Sequence, residues 1–381
     1  MQQIKGIPED YTLSRWFLPI YEAYSVGNFP RVVNVPQRIK NVLNKANKVA
    51  GAQELMTADG KLPKLNIMQQ GRKRAFVSFA GGKDALAVAI KAKEEGYETY
   101  LFHIQGINKV VPSEYAASVE VAKRAGFPLI TRKINIQGTK DFGEHPLKNL
   151  FILCMLIDEG LKHGATAFGL GNVFEEDSEH SIIDDCLSDS YDMIRDFAQA
   201  IKHEALPELK LLNYLHDNLQ AYHIVWKNTP QVLPYLSTCN IGDFRRPMRR
   251  KYIAKKYGAS VLPLKGCGGC YKCAMEYNNK VLFGMVRPVQ NYQLYGAKLI
   301  NDFKKTHRKQ FRQTQGNRYG GEDKNGVQVL CDILGYYIGE LEYEEKIDKW
   351  FVRRYYGHRH FKDKDYAEQL CKRFKALYKL R

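Results

Sequence analysis

Arg74-Ala75-Phe76-Val77-Ser78-Phe79-Ala80-Gly81-Gly82-Lys83-Asp84-Ala85-Leu86-Ala87-Val88 is the stretch that decides the fold. An apolar run ends in a double glycine, and apolar residues at helical spacing begin at Asp84. The pattern predicts a strand, a tight turn and a helix. Glycines let the backbone approach a ligand closely, and the N–H groups that open a helix suit an anion such as phosphate. Asp84 adds a carboxylate, which tolerates a phosphate when a divalent cation lies between them. Glycine, lysine and aspartate in this order point to a Mg-nucleotide site. An ordinary glycine-rich strand-to-helix turn is the plainer alternative.

The same alternation continues downstream. Arg74–Phe79 reads as a strand and Asp84–Glu95 as a helix closed by Gly96; Tyr97–Ile104 is a second strand. Ser113–Ala125 is a helix with Ser113 as N-cap and Gly126 after its end. Pro128–Ile134 is a third strand, Leu147–His163 a third helix stopped by Gly164, and Ala165–Gly169 a fourth strand. Strands alternating with helices predict an α/β fold with a doubly wound parallel sheet, whose ligands bind at the carboxyl ends of strands. Gly81-Gly82-Lys83-Asp84, Gln105-Gly106-Ile107-Asn108 and Gly169-Leu170-Gly171-Asn172 gather there. A Walker A loop is excluded by Val77 and Asp84, and a Rossmann fingerprint by Phe174 in place of a third glycine.

An acidic run, Glu175-Glu176-Asp177-Ser178-Glu179, follows the fourth strand, with Asp184, Asp185 and Asp189 beyond it. Such a run is either a solvated face or a source of carboxylates for Mg²⁺. Asp177 and Asp189 are the candidates to join Asp84 around that ion.

Cys267-Gly268-Gly269-Cys270-Tyr271-Lys272-Cys273 forms a knuckle whose sulfurs can converge on one ion. Cys239 is the nearest upstream cysteine, and no histidine lies between it and the knuckle. Zn²⁺ held by Cys239, Cys267, Cys270 and Cys273 is the expectation, with an iron–sulfur cluster as the alternative. Cys154, Cys186, Cys331 and Cys371 are scattered, as buried free thiols would be. Between Cys239 and the knuckle lie Arg245, Arg246, Arg249, Arg250, Lys251, Lys255 and Lys256. They suit either phosphate contact with DNA or RNA or a solvated helix face.

The flanks are less specific. Tyr11–Tyr24 is dense in apolar and aromatic residues, Val32–Val49 has helical spacing, and Asp59-Gly60-Lys61-Leu62-Pro63 reads as turn and linker. Residues 1–70 are therefore expected to be a helical extension, 71–285 the nucleotide domain with its knuckle, and 286–381 a basic, mainly helical region. From Val286 to Arg381 there are 21 Lys+Arg and 12 Asp+Glu, a net +9. Lys304–Arg312 is a basic run, and Arg353–Phe361 interleaves cations with aromatics, which suits either phosphate contact with base stacking or a helical domain that packs its tyrosines inward.

Composition bounds the whole. The 381 residues suffice for two or three domains, and 44% hydrophobic with 26% charged residues describes a globular protein. The longest apolar run, near Leu150–Ile157, is too short to cross a bilayer, and the N-terminus has no apolar segment resembling a secretory signal. A cytoplasmic protein without a membrane partner is expected. Eight cysteines in this length argue against a disulfide scaffold, and a formal charge of +17 favours a polyanionic partner.

Turn and knuckle together resemble the PP-loop ATP pyrophosphatase superfamily, and within it the 7-cyano-7-deazaguanine synthase family. The superfamily loop reads Ser-Gly-Gly-x-Asp-Ser; here it is Ala80-Gly81-Gly82-Lys83-Asp84-Ala85. Gln105 and Glu114-Tyr115-Ala116-Ala117 resemble the glutamine loop and Glu-x-x-Ala of the family, and Gly169, Asn172 and Asp177 its Gly-x-Asn segment and aspartate. Ser237-Thr238-Cys239 with Cys267, Cys270 and Cys273 resembles its zinc site. The likeness covers roughly Gly71–Gly284.

The resemblance implies a ligase that forms an adenylate from a carboxylate and ATP, releasing pyrophosphate, before nitrogen transfer in deazaguanine-type nucleobase biosynthesis. Lys83 and Asp84 would be the catalytic pair, with Gly81 and Gly82 cradling pyrophosphate and Asp84 holding Mg²⁺. Ser78, Ala80, Ala85, Gln105, Gly169 and Asn172 would complete the nucleotide site. Both loop serines are alanines here, and Ser78 lies earlier, on the strand. The long basic spacer implies a substrate larger than a free base. Two other readings fit the same letters: a nucleic-acid-binding protein with a degenerate nucleotide pocket, and a tRNA sulfur transferase of the same superfamily. The second requires a reactive cysteine near the loop.

Overall fold

In the computed structural model of the chain the described residues are 3–24, 32–49, 56–65, 73–107, 113–137, 147–171, 191–212, 218–237, 239, 245–264, 266–282 and scattered positions between 285 and 299. The expected features at Asn108, in the acidic run with Asp177 and Asp189, at Asn172, and in the basic stretches after residue 300 lie outside them. The chain divides into two compact units, one reaching Ser237 and the other beginning at Thr238.

The first unit is an α/β fold. It opens with β1 (Gln3–Lys5), α1 (Thr12–Tyr24), β2 (Val32–Val35), α2 (Gln37–Val49) and β3 (Met56–Asp59). The predicted strand–turn–helix follows as β4 (Arg74–Ser78) and α3 (Lys83–Glu94). Next come β5 (Glu98–Gln105), α4 (Ser113–Ala125), β6 (Leu129–Lys133), β7 (Asn135–Gln137), α5 (Lys148–Lys162) and β8 (Ala167–Gly169). The unit ends with α6 (Tyr191–Glu204), β9 (Lys210–Leu211), α7 (Asn218–Asn228) and a short 3-10 turn (Pro230–Tyr235).

Five strands form the main sheet in the order β6-β5-β4-β8-β9, all parallel. The chain lays down β4, β5 and β6 in one direction and then returns to the other side of β4 for β8 and β9. The order reverses between β4 and β8, where open α/β sheets place their ligands. Alternate residues of the central strands face opposite sides. Phe76 and Phe168 join a core with Phe151, Leu156 and other apolar residues of α5. Val77 and Gly169 face Val88 of α3 instead. Helices therefore cover both faces.

The N-terminal segment departs from expectation in one respect. Val32–Val49 reads as one helix from its spacing, yet Val32–Val35 is a strand paired in parallel with Met56–Asp59, and the helix starts after Pro36. Three valines in four residues favour extended backbone, and Pro36 pushes Val35 away from helical angles. β1 likewise pairs antiparallel with β7. Tyr11, Leu13, Phe17, Ile20 and Tyr21 of this segment are buried in the same core as α5.

Two adjacent buried carboxylates fasten α1 to α5. Asp158 accepts the amides of Leu13 at 2.9 Å and Ser14 at 2.7 Å, and the Ser14 hydroxyl at 2.6 Å. It caps the first turn of α1 from another helix, satisfying N–H groups that α1 cannot satisfy itself. Glu159 receives the Tyr11 hydroxyl and a forked Arg132 guanidinium, with Nη2 at 2.6 Å and Nε at 3.0 Å. Such bidentate pairs fix geometry as well as charge. Among the described residues no helix is long and apolar enough to cross a membrane.

Burial raises the Asp158 carboxyl to about 6, against the pull of the Ser14 and Leu13 donors. The folded state therefore holds the proton more tightly than the unfolded chain between about pH 4 and 6. Asp158 should add stability as pH falls through that window and lose it as pH rises. Asp158→Asn, which leaves one amide donor unmatched, should cost about 1–3 kcal/mol at pH 7.5. Urea unfolding of both proteins from pH 4 to 7.5 checks this, because the gap should widen towards pH 4.

Candidate functional site

The turn after β4 is fixed through its backbone. The Phe79 amide donates to the Phe102 carbonyl at 2.8 Å, extending the β4–β5 ladder by one bond. The Phe79 carbonyl lies 2.8 Å from His103 Nδ1. A carbonyl only accepts, so Nδ1 carries the proton. Burial lowers the His103 pKa, which keeps the ring neutral. Ser118 Oγ lies 3.2 Å from the same nitrogen and donates to the Glu114 carbonyl at 2.8 Å. Two residues on, the Gly81 carbonyl accepts the Ser237 amide at 2.8 Å.

Gly81 has φ +81°, and a Cβ there would stand 3.1 Å from the Ala117 Cβ and 3.2 Å from the Ser118 amide. Conformation and space both demand glycine. Gly82 is the N-cap of α3, extended at φ −89° and ψ 161°, and no side chain caps the helix. The amides of the first turn thus lack a side-chain acceptor at the carboxyl edge of the central strand. Lys83 is buried apart from a small fraction and its Nζ lies 2.6 Å from Asp84 Oδ1, with the Asp84 side chain 24% exposed. An anion there meets backbone dipoles and an amine, and a cation meets the carboxylate.

The end of β8 and Gly171 pack on α3. A Cβ on Gly169 would come within 2.7 Å of Val88, and one on Gly171 within 2.6 Å of the Ala85 amide. These two glycines are small because the strand end presses on α3. Ala85 is buried at that contact. Ser78 ends β4 and is half-buried, and Ala80 is exposed. Gln105 ends β5, its carbonyl accepting the Ile134 amide at 3.0 Å. The structure therefore brings Ala80, Gly81, Gly82, Lys83, Asp84 and Ala85 together around the start of α3, with Gly169 against Val88 farther along the helix, while Gln105 closes the neighbouring strand. His103 carries little signal in the sequence: a lone histidine inside an apolar strand is its one visible sign.

The second unit holds the cysteines. It contains α8 (Arg246–Tyr257), a short 3-10 turn (Ala259–Val261) and α9 (Tyr271–Leu282). All four sulfurs of Cys239, Cys267, Cys270 and Cys273 lie within 4.8 Å of one another, and all four residues are buried. Cys239 and Cys270 Sγ are 4.0 Å apart, and Cys267 and Cys273 Sγ 3.9 Å. A tetrahedral ion with sulfur at about 2.3 Å requires separations of about 3.8 Å. The four thiols are thus spaced to share one metal ion. None of them is in a disulfide.

Local sequence explains the convergence. Cys270 and Cys273 are three apart at the start of α9 and share a face. Gly268 takes φ +69°, turning Cys267 back towards them. The Gly269 amide donates to Cys267 Sγ at 3.3 Å, and the Cys267 amide to Cys239 Sγ at 3.4 Å. Cys239 and Cys267, then burial, drive Cys270 and Cys273 well above the ordinary thiol range. Cys267 is opposed by Cys239 but lowered by Cys270 and Cys273 to about 7. A bound divalent cation would offset the repulsion among thiolates gathered this closely.

The knuckle is braced by side chains. Arg249 Nη1 donates to the Gly269 carbonyl at 2.8 Å, and Arg250 Nη1 to the carbonyls of Pro263 and Gly266. The Tyr292 and Tyr295 hydroxyls bond the Gly268 and Gly269 carbonyls. Of the residues expected to touch phosphate, Arg249 and Arg250 are thus engaged in the knuckle. Arg245 caps α8 and is exposed, Arg246 is half-buried, and Lys251 is exposed. No protein-family model matches the chain, and no curated protein matches it.

Metal analysis of the purified wild type should give one ion per chain. Cys270→Ser should remove it and lower the melting temperature of the second unit, while Cys154→Ser should leave metal content unchanged. Inductively coupled plasma mass spectrometry with circular dichroism measures both.

Proposed function

We propose that the chain is an ATP-dependent ligase of the PP-loop type, similar to 7-cyano-7-deazaguanine synthases. It would form an adenylate on a carboxylate of a small molecule or modified base and release pyrophosphate. One observation supports this above all. The uncapped start of α3, with Lys83 and Asp84 in its first turn, opens at the carboxyl end of β4, beside the reversal of strand order.

The chemistry follows from these residues. Amides at Gly81–Asp84 would grip the oxygens of the leaving pyrophosphate. Entry of Mg-ATP would part the Lys83–Asp84 pair, the amine turning to phosphate and the carboxylate to Mg²⁺. Neither buried charge would then lose its counterpart. Ala80 and Ala85 bring no hydroxyls, so each missing hydrogen bond would weaken binding by about 0.5–1.5 kcal/mol, and the amides and Lys83 would carry the grip. Catalysis of this kind rests on positioning and charge stabilisation. His103 would act through the Phe79 carbonyl, as a positioning residue.

The cysteine cluster we read as a closed structural zinc site. Its spacing matches a single ion, whereas a cluster of several irons holds its thiolates farther apart. Sulfur transfer is the less favoured reading. Cys154, the described cysteine of the first unit, is fully buried and its thiol is pushed up by that burial. DNA or RNA is the macromolecular partner proposed for the basic second unit, and the cytoplasm the proposed location.

Asp84→Asn should reduce pyrophosphate release at least a hundredfold without changing the melting temperature. Coupled pyrophosphate detection, with titration calorimetry of Mg-ATP, tests it. Turnover equal to wild type would remove Asp84 from the mechanism, and absence of both binding and release in the wild type would reject the enzyme.

A further inference from the structure

The net charge of +17 is not spread along the chain. Residues 1–238 contain 27 Lys+Arg and 27 Asp+Glu, a net charge of zero. Residues 239–381 contain 31 Lys+Arg and 14 Asp+Glu, which is the entire excess. The boundary coincides with the start of the second compact unit at Thr238. Solubility alone gives no reason to segregate charge so completely; a partner that carries the opposite charge does.

Within this unit the charge is sorted again by α8. Its twelve residues include six Lys and Arg and no acid. Arg249 and Arg250 hold carbonyls of the knuckle, and Ile253 is buried beneath the helix. The opposite face presents Met248, Lys251, Tyr252 and Lys255, at positions i, i+3, i+4 and i+7. These four line up along one side. Met248 is 78% exposed and Tyr252 55%. Lys256 braces the phenol, its Nζ 3.3 Å from the Tyr252 hydroxyl. Among the described residues neither Lys251 nor Lys255 has an acidic partner.

We infer that this stripe of α8 is a docking surface for single-stranded nucleic acid, with Lys251 and Lys255 on the phosphates and Tyr252 stacked on a base. The inference rests on the proposal of DNA or RNA as partner and is independent of the ATP chemistry. Lys251 and Lys255 are one helical turn apart, about 6 Å along the axis, so the two amines can engage separate phosphates of one strand. An aromatic ring between cations is the combination that binds single strands without reading sequence. A duplex hides its base faces and offers Tyr252 nothing to stack on. A bilayer surface is disfavoured because on this stripe of α8 only Met248 and Tyr252 supply apolar area, less than an interfacial helix buries. The knuckle serves this surface by holding α8 through Arg249 and Arg250, which leaves the opposite side of the helix to the strand.

Fluorescence anisotropy of the full chain with a labelled, unstructured single strand tests the inference over a range of salt. Lys251→Gln with Lys255→Gln should weaken binding at least tenfold and flatten the dependence of log affinity on log salt by about 1.4. Tyr252→Ala should weaken it about tenfold with no change of that slope. Lys123→Gln with Lys133→Gln, in the first unit, whose charges balance, should leave both unchanged. Strand binding that survives the α8 changes would overturn the surface alone. No strand binding by the wild type would overturn the nucleic-acid partner too, whatever the pyrophosphate assay gives. Tighter binding to a duplex, or to phosphatidylserine vesicles, with Tyr252 indifferent to the single strand, would also overturn it.

Discussion

Everything proposed for the first unit depends on the backbone of a single residue, Phe79, at the end of the central strand. Its amide is tied to Phe102 and its carbonyl to the neutral, buried His103. With both sides of Phe79 fixed by β5, the chain has only Ala80, Gly81 and Gly82 in which to turn and begin a helix. That constraint forces the positive φ at Gly81 and leaves no residue with a capping side chain before α3. The amides that start α3 are held in place by hydrogen bonds made on the strand before them. A ligand would find them already arranged, and little ordering entropy would be lost when it binds.

The cysteine knuckle obeys a different logic. Its sulfurs are gathered by glycine geometry and the pitch of α9, and its carbonyls are satisfied by Arg249, Arg250, Tyr292 and Tyr295. The arginines come from the spacer between Cys239 and Cys267, and the tyrosines from beyond α9. A metal ion would therefore lock a frame whose outer supports exist independently of it. The arginines spent there also change the meaning of the basic helix, because its positive charges divide into supports facing the knuckle and lysines facing outward.

The main sheet was legible because its signals are local. Apolar runs broken by Gly96, Gly126 and Gly164 mark element ends, and β4, β5, β6 and β8 with α3, α4 and α5 fall within a few residues of their expected positions. β9 was missed because two residues at a sheet edge carry no period. Val32–Val35 was read as helix because four residues cannot distinguish the two spacings, and its partner strand lies more than twenty residues on. The cysteine cluster was legible through spacing alone, since thiols three apart at a helix start must share a face. His103 and the bracing role of Arg249 and Arg250 were not, because each depends on a carbonyl whose position only the folded chain defines.

The carboxylates of α5 bear on how this protein can be divided. Asp158 and Glu159 sit side by side in the core, and most of their donors come from elsewhere in the chain: Leu13, Ser14 and Tyr11 before the sheet, and Arg132 at its edge. A fragment trimmed to begin near residue 71 would retain both acids, with Arg132 and His163 beside Glu159, and lose Tyr11, Leu13 and Ser14. It would also bare the apolar side of α5 that α1 covers. The opening segment is thus an integral wall of the first unit, and expression of that unit alone should succeed only when the first two dozen residues remain attached.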